Sequence, residues 1–389
     1  MSINKMCLGL IYDFVLWLIG LFRYKREAPP AQRSENFSPD IFASSTPSVP
    51  NLEAISQVEA KKSKDMKNST LYVHKNFKRS ELAKPPLVKG NAKMGLQNTG
   101  LTCYFNSAIN SLYFVPQFYR FFSAEKQPSD LPLLSRLEQF VRIYGQMNVP
   151  SSLLASIRYA VPSFRHEGMG SAYEFILGLL QCADEEVGSY VEMDSVPPGE
   201  KWERELARRK LSGCQPLHKI FSVVVEETLT CTKCYNFFSR YLYNRSFSID
   251  LGESIENCLT NYLSEEKRSE PYYCTCKVCK TAEVHTIKRS LKHIGSAIII
   301  HLQRHHSSTP YTKVEIPESL NMSTYLQGAG TYWLCSAVHH SGTVESGHYT
   351  SYARTESGWM CFDDSYASFE PKVPRRLLRA STFFIYASA

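Results

Sequence analysis

Hydrophobic positions along the chain change their period several times, and each change predicts a different kind of element. Met6 to Phe22 is an apolar run of 17 residues broken only by Asp13. Residues 27–92 lose all periodicity and are rich in Pro, Ser, Lys and Asn, as in Ala28-Pro29-Pro30-Ala31, Ser44-Ser45-Thr46-Pro47 and Lys84-Pro85-Pro86. Such composition predicts a disordered stalk. From about Ala92 the spacing becomes helical: Phe105, Ile109, Leu112 and Tyr113 form a stripe that Pro116 ends. A second stripe holds Leu133, Leu134, Leu137, Phe140, Val141 and Tyr144, with Pro132 in its first turn. A third, Ala172, Phe175, Ile176, Leu179 and Leu180, is opened by the capping box Ser171-x-x-Glu174. The second half reads as strands over Phe221–Leu229, Ile294–Leu302, Tyr332–Val338, His348–Ala353 and Thr382–Tyr386. Helices first and strands later make an α+β fold arranged in lobes. No internal repeat is visible.

The N-terminal run is short for a membrane span, which needs about 20 apolar residues with a range near 17–25. Arg23-Tyr24-Lys25-Arg26 follows it at once, and the positive-inside rule then keeps everything downstream cytosolic. The expectation is a single-pass anchor over 6–22. A cleaved signal peptide and a peripheral or buried helix are its rivals; only Lys5 precedes the run and no A-x-A site follows. Basic residues directly behind a modestly apolar anchor resemble mitochondrial outer-membrane signal-anchors, with the endoplasmic reticulum as the alternative address.

Net charge sharpens the division. The whole chain carries +7, yet residues 61–93 alone hold ten basic and two acidic side chains, so the remainder is close to neutral. A basic tether beside a neutral body argues for an anionic surface or a solvated linker. It argues against a nucleic-acid binder, because only Tyr72 and Phe77 could stack among its ten basic residues.

The chemistry begins at Gly95-Leu96-Gln97-Asn98-Thr99-Gly100-Leu101-Thr102-Cys103-Tyr104-Phe105-Asn106-Ser107, a Gly-rich turn running into the first helical stripe. Cys103 therefore sits at a helix N-terminus, where the dipole and free N–H groups favour a thiolate and a lowered pKa. His340-Ser341-Gly342-Thr343-Val344-Glu345-Ser346-Gly347-His348-Tyr349 lies far downstream, followed by Trp359-Met360-Cys361-Phe362-Asp363-Asp364. A hairpin around Ser357-Gly358 returns Asp363 beside His348, giving nucleophile, base and orienting acid.

These two segments resemble the cysteine and histidine boxes of the ubiquitin-specific protease family of deubiquitinating enzymes, over residues 93–389. The resemblance implies a papain-like thumb and palm with zinc-bearing β fingers. Its expected layout is a short tail 1–5, the anchor 6–22, a basic linker 23–92 and a catalytic domain 93–389. Within that domain the thumb is 93–215, the fingers 216–300 and the palm 301–389. It implies Cys103 as nucleophile, His348 as general base, Asp363 as its orienting acid with Asp364 in support, and Asn98 as oxyanion donor. Glu174, His340, Gly347 and Tyr349 are the implied substrate contacts. Val314-Glu315-Ile316-Pro317-Glu318-Ser319-Leu320 and Phe383-Phe384-Ile385-Tyr386 fit the same pattern.

Among twelve cysteines, Cys231-Thr-Lys-Cys234 and Cys276-Lys-Val-Cys279 form two C-x₂-C pairs 41 residues apart, the spacing of a structural zinc site. Cys274 lies close enough to compete for the second pair; the family's spacing favours Cys276 and Cys279. Four thiolates leave no open position for water, so this Zn²⁺ is structural, and no organic cofactor is implied. The chain departs from the family at Met169-Gly170-Ser171-Ala172-Tyr173-Glu174, where a Gln-Asp pair usually precedes Glu-Phe and its Asp helps hold the arginine-rich ubiquitin tail.

The resulting expectation is a monomeric, thiol-dependent ubiquitin C-terminal hydrolase. It would cleave the (iso)peptide bond after the last glycine of ubiquitin on membrane-associated or polyubiquitinated proteins. The competing readings are a membrane-tethered ubiquitin-binding pseudoenzyme and a protease for a ubiquitin-like modifier.

Overall fold

The computed structural model describes residues 94–389, apart from 125–126, 128, 167, 189–200, 204–215, 265, 268–275, 282–284, 305–310, 344–345, 371 and 373–376. All of them belong to the second of two units into which the chain divides, Glu81–Ala389. The expected anchor at 6–22 and the stalk at 23–92 lie outside the described residues.

The helices cluster first in the chain: α1 (Cys103–Tyr113), α2 (Pro116–Ala124), α3 (Pro132–Ile143), α4 (Ser151–Ala160), α5 (Ala172–Gly188) and α6 (Pro216–Ile220). Pro132 begins α3, where its missing N–H costs nothing. The Glu186 carboxylate from α5 accepts from the free Leu133 and Leu134 amides at 2.8 and 3.0 Å, satisfying and electrostatically matching that helix end. At the head of α5 the Ser171 hydroxyl accepts from the Glu174 amide at 3.3 Å, as the capping box requires.

The strands follow: β1 (Val223–Cys231), β2 (Phe237–Asn244), β3 (Ser246–Ile249), β4 (Glu266–Lys267), β5 (His285–Ile294) and β6 (Ala297–Leu302), with α7 (Ile255–Leu263) after β3. Then come β7 (Ser319–Asn321), β8 (Thr331–Gly342), β9 (Gly347–Thr355), β10 (Gly358–Asp363) and β11 (Tyr366–Glu370), with α8 (Leu377–Ala380) before β12 (Ser381–Ser388). They build two sheets. One is four-stranded, β2-β1-β5-β4; the other is eight-stranded, running β11-β10-β9-β8-β12-β6-β3 with β7 on β8. The β3–β6 pair is parallel and every other named pair is antiparallel.

The large sheet is buried on both faces at its centre. Ile299, Phe383 and Ile385 pack with Phe105, Ile109 and Phe175 of the helical layer. Their alternates Ile298, Ile300, Phe384 and Tyr386 pack with Ile255 and Leu259 of α7 on the other side. That double burial is why β6 and β12 read as unbroken apolar runs rather than alternations.

One expectation is corrected. Among the described residues no helix is long and apolar enough to cross a membrane, which overturns the single-pass placement and its mitochondrial or reticulum address. The longest of these helices, α5, has 17 residues, a length of about 25 Å against a hydrocarbon core of about 30 Å. It also carries Glu174, Asp184, Glu185 and Glu186, and buries its apolar stripe in the protein core.

Candidate active site

The loop entering α1 is stitched to the turn that follows β10. Gly95 N–H donates to the Ser365 carbonyl at 3.2 Å and Leu96 N–H to the Asp364 carbonyl at 2.7 Å. A Cβ at position 95 would overlap that Asp364 carbonyl oxygen and sit 2.8 Å from its carbon, so only glycine allows the approach. Asn98 then organises the rest of the turn. Its Oδ1 accepts from Gly100 N–H (3.0 Å), Thr102 N–H (3.1 Å) and the Thr102 hydroxyl (3.1 Å), folding the loop through the left-handed Gly100 and Leu101.

Cys103 is the first residue of α1 and is 8% exposed. Its thiol pKa is raised rather than lowered. Burial is the largest cause and the nearby Asp364 charge adds to it, while the backbone amides of Tyr349, Tyr104 and Cys103 itself pull the other way. The helix-end amides expected from the sequence are in place, but desolvation of the thiolate outweighs them.

His348 is the second residue of β9, and α1 packs against this strand. The β9–β10 hairpin pairs Gly358 with Thr355 and brings the two chemistry-bearing ends together. His348 Nε2 lies 2.6 Å from Asp363 Oδ1, both side chains being about half exposed. A carboxylate only accepts, so Nε2 carries the hydrogen and Nδ1 is the free base. Among the described residues the ring bonds to Asp363 and not to the thiol; the contact between β9 and the nucleophile is made by the Tyr349 backbone.

Asp364, expected from the sequence to support Asp363, lies within 4.8 Å of the His348 ring nitrogen, but its hydrogen bonds run to other groups. It adopts a left-handed φ of 49°, and its Oδ2 accepts from Asn98 Nδ2 and its Oδ1 from Asn106 Nδ2, each at 2.8 Å. Neighbouring acids thus face different partners: Asp363 the imidazole, Asp364 the Asn98 amide. Asn106 was not singled out in the sequence, where an Asn one helical turn after a Cys carries no signal of its own.

The remaining candidates gather beside β9. Tyr349 and His340 are cross-strand partners whose rings lie 4.4 Å apart. A Cβ on Gly347 would overlap His340 Nε2 and meet the Ser341 carbonyl at 2.6 Å, so this glycine lets the His340 ring lie across the strand. The Tyr349 hydroxyl is raised by burial and is bonded to the Ala172 amide and Ser171 hydroxyl at the head of α5. Glu174, in that helix's first turn, is exposed, with its carboxyl raised by the surrounding protein. Tyr311, also missed, donates its hydroxyl to the Gly342 carbonyl at 3.1 Å and ties down the β8–β9 turn.

Away from this cluster the two C-x₂-C pairs form matching knuckles. Tyr235 N–H bonds the Cys231 carbonyl and Lys280 N–H the Cys276 carbonyl, both at 2.9 Å. Tyr235 and Lys280 both take left-handed φ values, of 58° and 57°. The Cys231 and Cys276 amides close the loops on the Asn236 and Thr281 carbonyls. The four sulfurs lie within 4.8 Å of one another, with Cys231–Cys279 at 3.8 Å and Cys234–Cys276 at 3.5 Å. A tetrahedron with metal–sulfur bonds of about 2.3 Å has edges of about 3.8 Å, so the donor set fits Zn²⁺ in number, kind and spacing. The Thr281 hydroxyl, 3.1 Å from Cys279, lowers that thiol to about 6. Cys274 lies outside the described residues; Cys276 and Cys279 complete the set.

Comparison with known proteins agrees with this geometry. Residues 94–381 match the family described as ubiquitin carboxyl-terminal hydrolase. The chain is 25% identical over 294 residues to ubiquitin carboxyl-terminal hydrolase 23 of Arabidopsis thaliana, covering 70% of this chain and 33% of that protein. It is 26% identical over 386 residues to ubiquitin carboxyl-terminal hydrolase 3 of Homo sapiens, covering 81% and 71% respectively. The chain thus spans only a third of the Arabidopsis relative. Among solved structures, the SAGA Ubp8/Sgf11/Sus1/Sgf73 DUB module bound to ubiquitin aldehyde matches with a TM-score of 0.58 at 19% identity, over 87% of this chain and 76% of that one. A yeast SAGA DUBm carrying an Sgf73 mutant gives 0.60 at 20%, over 87% and 75%. At such identities these two likenesses speak for the fold. With the family match running over most of its length, the chain belongs to the ubiquitin carboxyl-terminal hydrolases.

Proposed function

We propose that this chain is a thiol-dependent deubiquitinase that hydrolyses the (iso)peptide bond after the C-terminal glycine of ubiquitin. One observation carries the reading. A buried thiol, an imidazole bonded to a carboxylate, and a side-chain amide bonded to a second carboxylate converge on the N-terminus of α1 and the ends of β9 and β10.

The roles follow from the atoms each group has free. Cys103 Sγ attacks the carbonyl carbon and gives its proton to His348 Nδ1, while Asp363 holds the Nε2–H and stabilises the imidazolium. The oxyanion is received by the second Nδ2 hydrogen of Asn98 and the Cys103 N–H, where one such donor is worth about 3 kcal/mol in the transition state. His348 returns the proton to the leaving lysine amine. It then deprotonates water, which opens the thioester and restores the thiol. Glu174, His340, Gly347 and Tyr349 line the approach of the ubiquitin tail. Zn²⁺ on Cys231, Cys234, Cys276 and Cys279 holds the tip of the four-stranded sheet and takes no part in these steps.

A ubiquitin C-terminal electrophile probe should label the wild type at Cys103 and leave Cys103→Ala unlabelled; a wild type that resists the probe would sink the proposal. The head of α5 favours one alternative, a protease for a ubiquitin-like modifier, since Ser171 stands where the family carries an acid for an arginine-rich tail. Probes built on ubiquitin and on its relatives separate the two.

A further inference from the structure

The Asn98 amide is fixed at both ends, and the outer end is fixed from the protein interior. Three donors occupy Oδ1, so the amide has no reason to flip. Nδ2 gives one hydrogen to Asp364 Oδ2, leaving the other free. Asp364 in turn is held from below. Its Oδ1 accepts from Asn106 Nδ2, and its carbonyl accepts from the Leu96 amide, whose own carbonyl accepts from the same Asn106 nitrogen at 3.2 Å. Asn106, Leu96 and Asp364 therefore close a hydrogen-bonded triangle with Asn106 at its base.

Asn106 stands in a setting that does not otherwise suit an amide. It is 1% exposed on the inward side of α1, and its Oδ1 is buried without a partner. An unsatisfied buried acceptor is a cost to the fold, and an apolar residue of the same size would remove it. What an apolar residue would not supply is the two donors that seat Asp364 and Leu96.

We infer that Asn106 is a positioning residue for the oxyanion-binding amide: it seats Asp364, Asp364 aims Asn98, and Asn98 meets the reacting carbonyl. The inference rests on the deubiquitinase reading. It assigns to Asn106 no contact with substrate, with the thiol or with the imidazole.

The test is a pair of matched comparisons on the full chain, using a ubiquitin C-terminal coumarin amide. Asn106→Leu should lower kcat by about tenfold or more with KM within about twofold, because the loss falls on the transition state alone. The rate at which iodoacetamide alkylates Cys103, read by mass spectrometry, should change far less than kcat does, because burial outranks the Asp364 charge among the influences on the thiol. In an Asn98→Ala background the same substitution should cost less than about twofold, since the group it positions is gone. Equal losses in both backgrounds, or no loss in the wild-type background, would overturn the inference. Should Asn106→Leu fail to fold, Asn106→Asp serves instead. It sets two carboxylates at hydrogen-bond distance, which hold together only when they share a proton. Its kcat relative to wild type should rise as pH falls; a ratio independent of pH counts against the inference. A wild type inactive on the coumarin amide would instead refute the deubiquitinase reading, and the inference with it.

Discussion

Gly95→Ala is the sharpest probe of how the site is assembled, because it touches no reacting group. The added methyl would overlap the Asp364 carbonyl oxygen and lie 2.8 Å from its carbon, against backbone that has no free torsion to yield. The turn after β10 must retreat by roughly an ångström, and misplacement on that scale costs about 10²-fold in rate. Two backbone bonds stretch with it, Gly95 to Ser365 and Leu96 to Asp364. At about 1 kcal/mol each they amount to about 2 kcal/mol of stability. The retreat also carries Asp364 off Asn98, while the Asp363–His348 bond, which uses a different carboxylate, is spared. The expected outcome is kcat down by about 10- to 100-fold on a ubiquitin coumarin amide and a Tm lower by several degrees. A variant with wild-type kcat would refute the claim that the Gly95–Asp364 approach sets the oxyanion donor.

Four further outcomes follow from other parts of the molecule. Gly347→Ala should displace the His340 ring and raise KM more than it lowers kcat; a pure kcat effect would mean His340 does not line the substrate path. Metal analysis should find one zinc per chain, and Cys279→Ser should lower Tm while the isolated thiol at Cys103 keeps its alkylation rate; a metal-free, equally stable wild type would reject the zinc site. Because burial raises the Cys103 thiol above its ordinary 9, alkylation of the free protein should still be accelerating at pH 9, and a plateau by pH 7 would contradict it. His218 is buried with neither ring nitrogen bonded and is lowered to about 4, first by burial and then by the Arg245 and His293 charges. Its folded pKa lies below its unfolded value near 6.5, so the unfolded chain binds the extra proton. The stability it contributes is complete above about pH 6.5 and is lost towards pH 4, to a total of about 3 kcal/mol. Urea unfolding at pH 7 and pH 5 should show this slope, and His218→Phe should flatten it.

The fold was legible wherever one physical demand governed a segment. The stripes at Phe105, Leu133 and Phe175 became α1, α3 and α5, because their apolar residues join one core: α1 is buried along its whole length, and α3 packs on α2, α4 and α5. The apolar runs at Ile298 and Phe383 became central strands for another reason, burial on both faces. β2 left no such mark. It is an edge strand whose residues are exposed or half exposed throughout, so Phe237-Phe238-Ser239-Arg240-Tyr241 shows no alternation to read. The parallel β3–β6 pairing was equally hidden, since strand direction depends on the crossover between them and not on either sequence.

The site divides along the same line. Cys103, His348 and Asp363 could be marked because helix-end position and hairpin register are local properties of sequence, and the hairpin indeed sets His348 against Asp363. The state of the thiol could not, because a helix N-terminus is visible in sequence whereas the depth of its burial is not, and here burial dominates. Nor could the division between Asp363 and Asp364. Residues adjacent in a strand point to opposite faces, but Asp364 lies just past β10 in a left-handed turn, and that turn exists only because Gly95 lets another loop close upon it. A nucleophile kept neutral, a base bonded to one carboxylate and an amide bonded to the next form a resting arrangement in which no charged reactive group is left uncompensated. Long-range contacts between the 95–106 and 348–365 segments hold that arrangement, which is why neither segment alone discloses it.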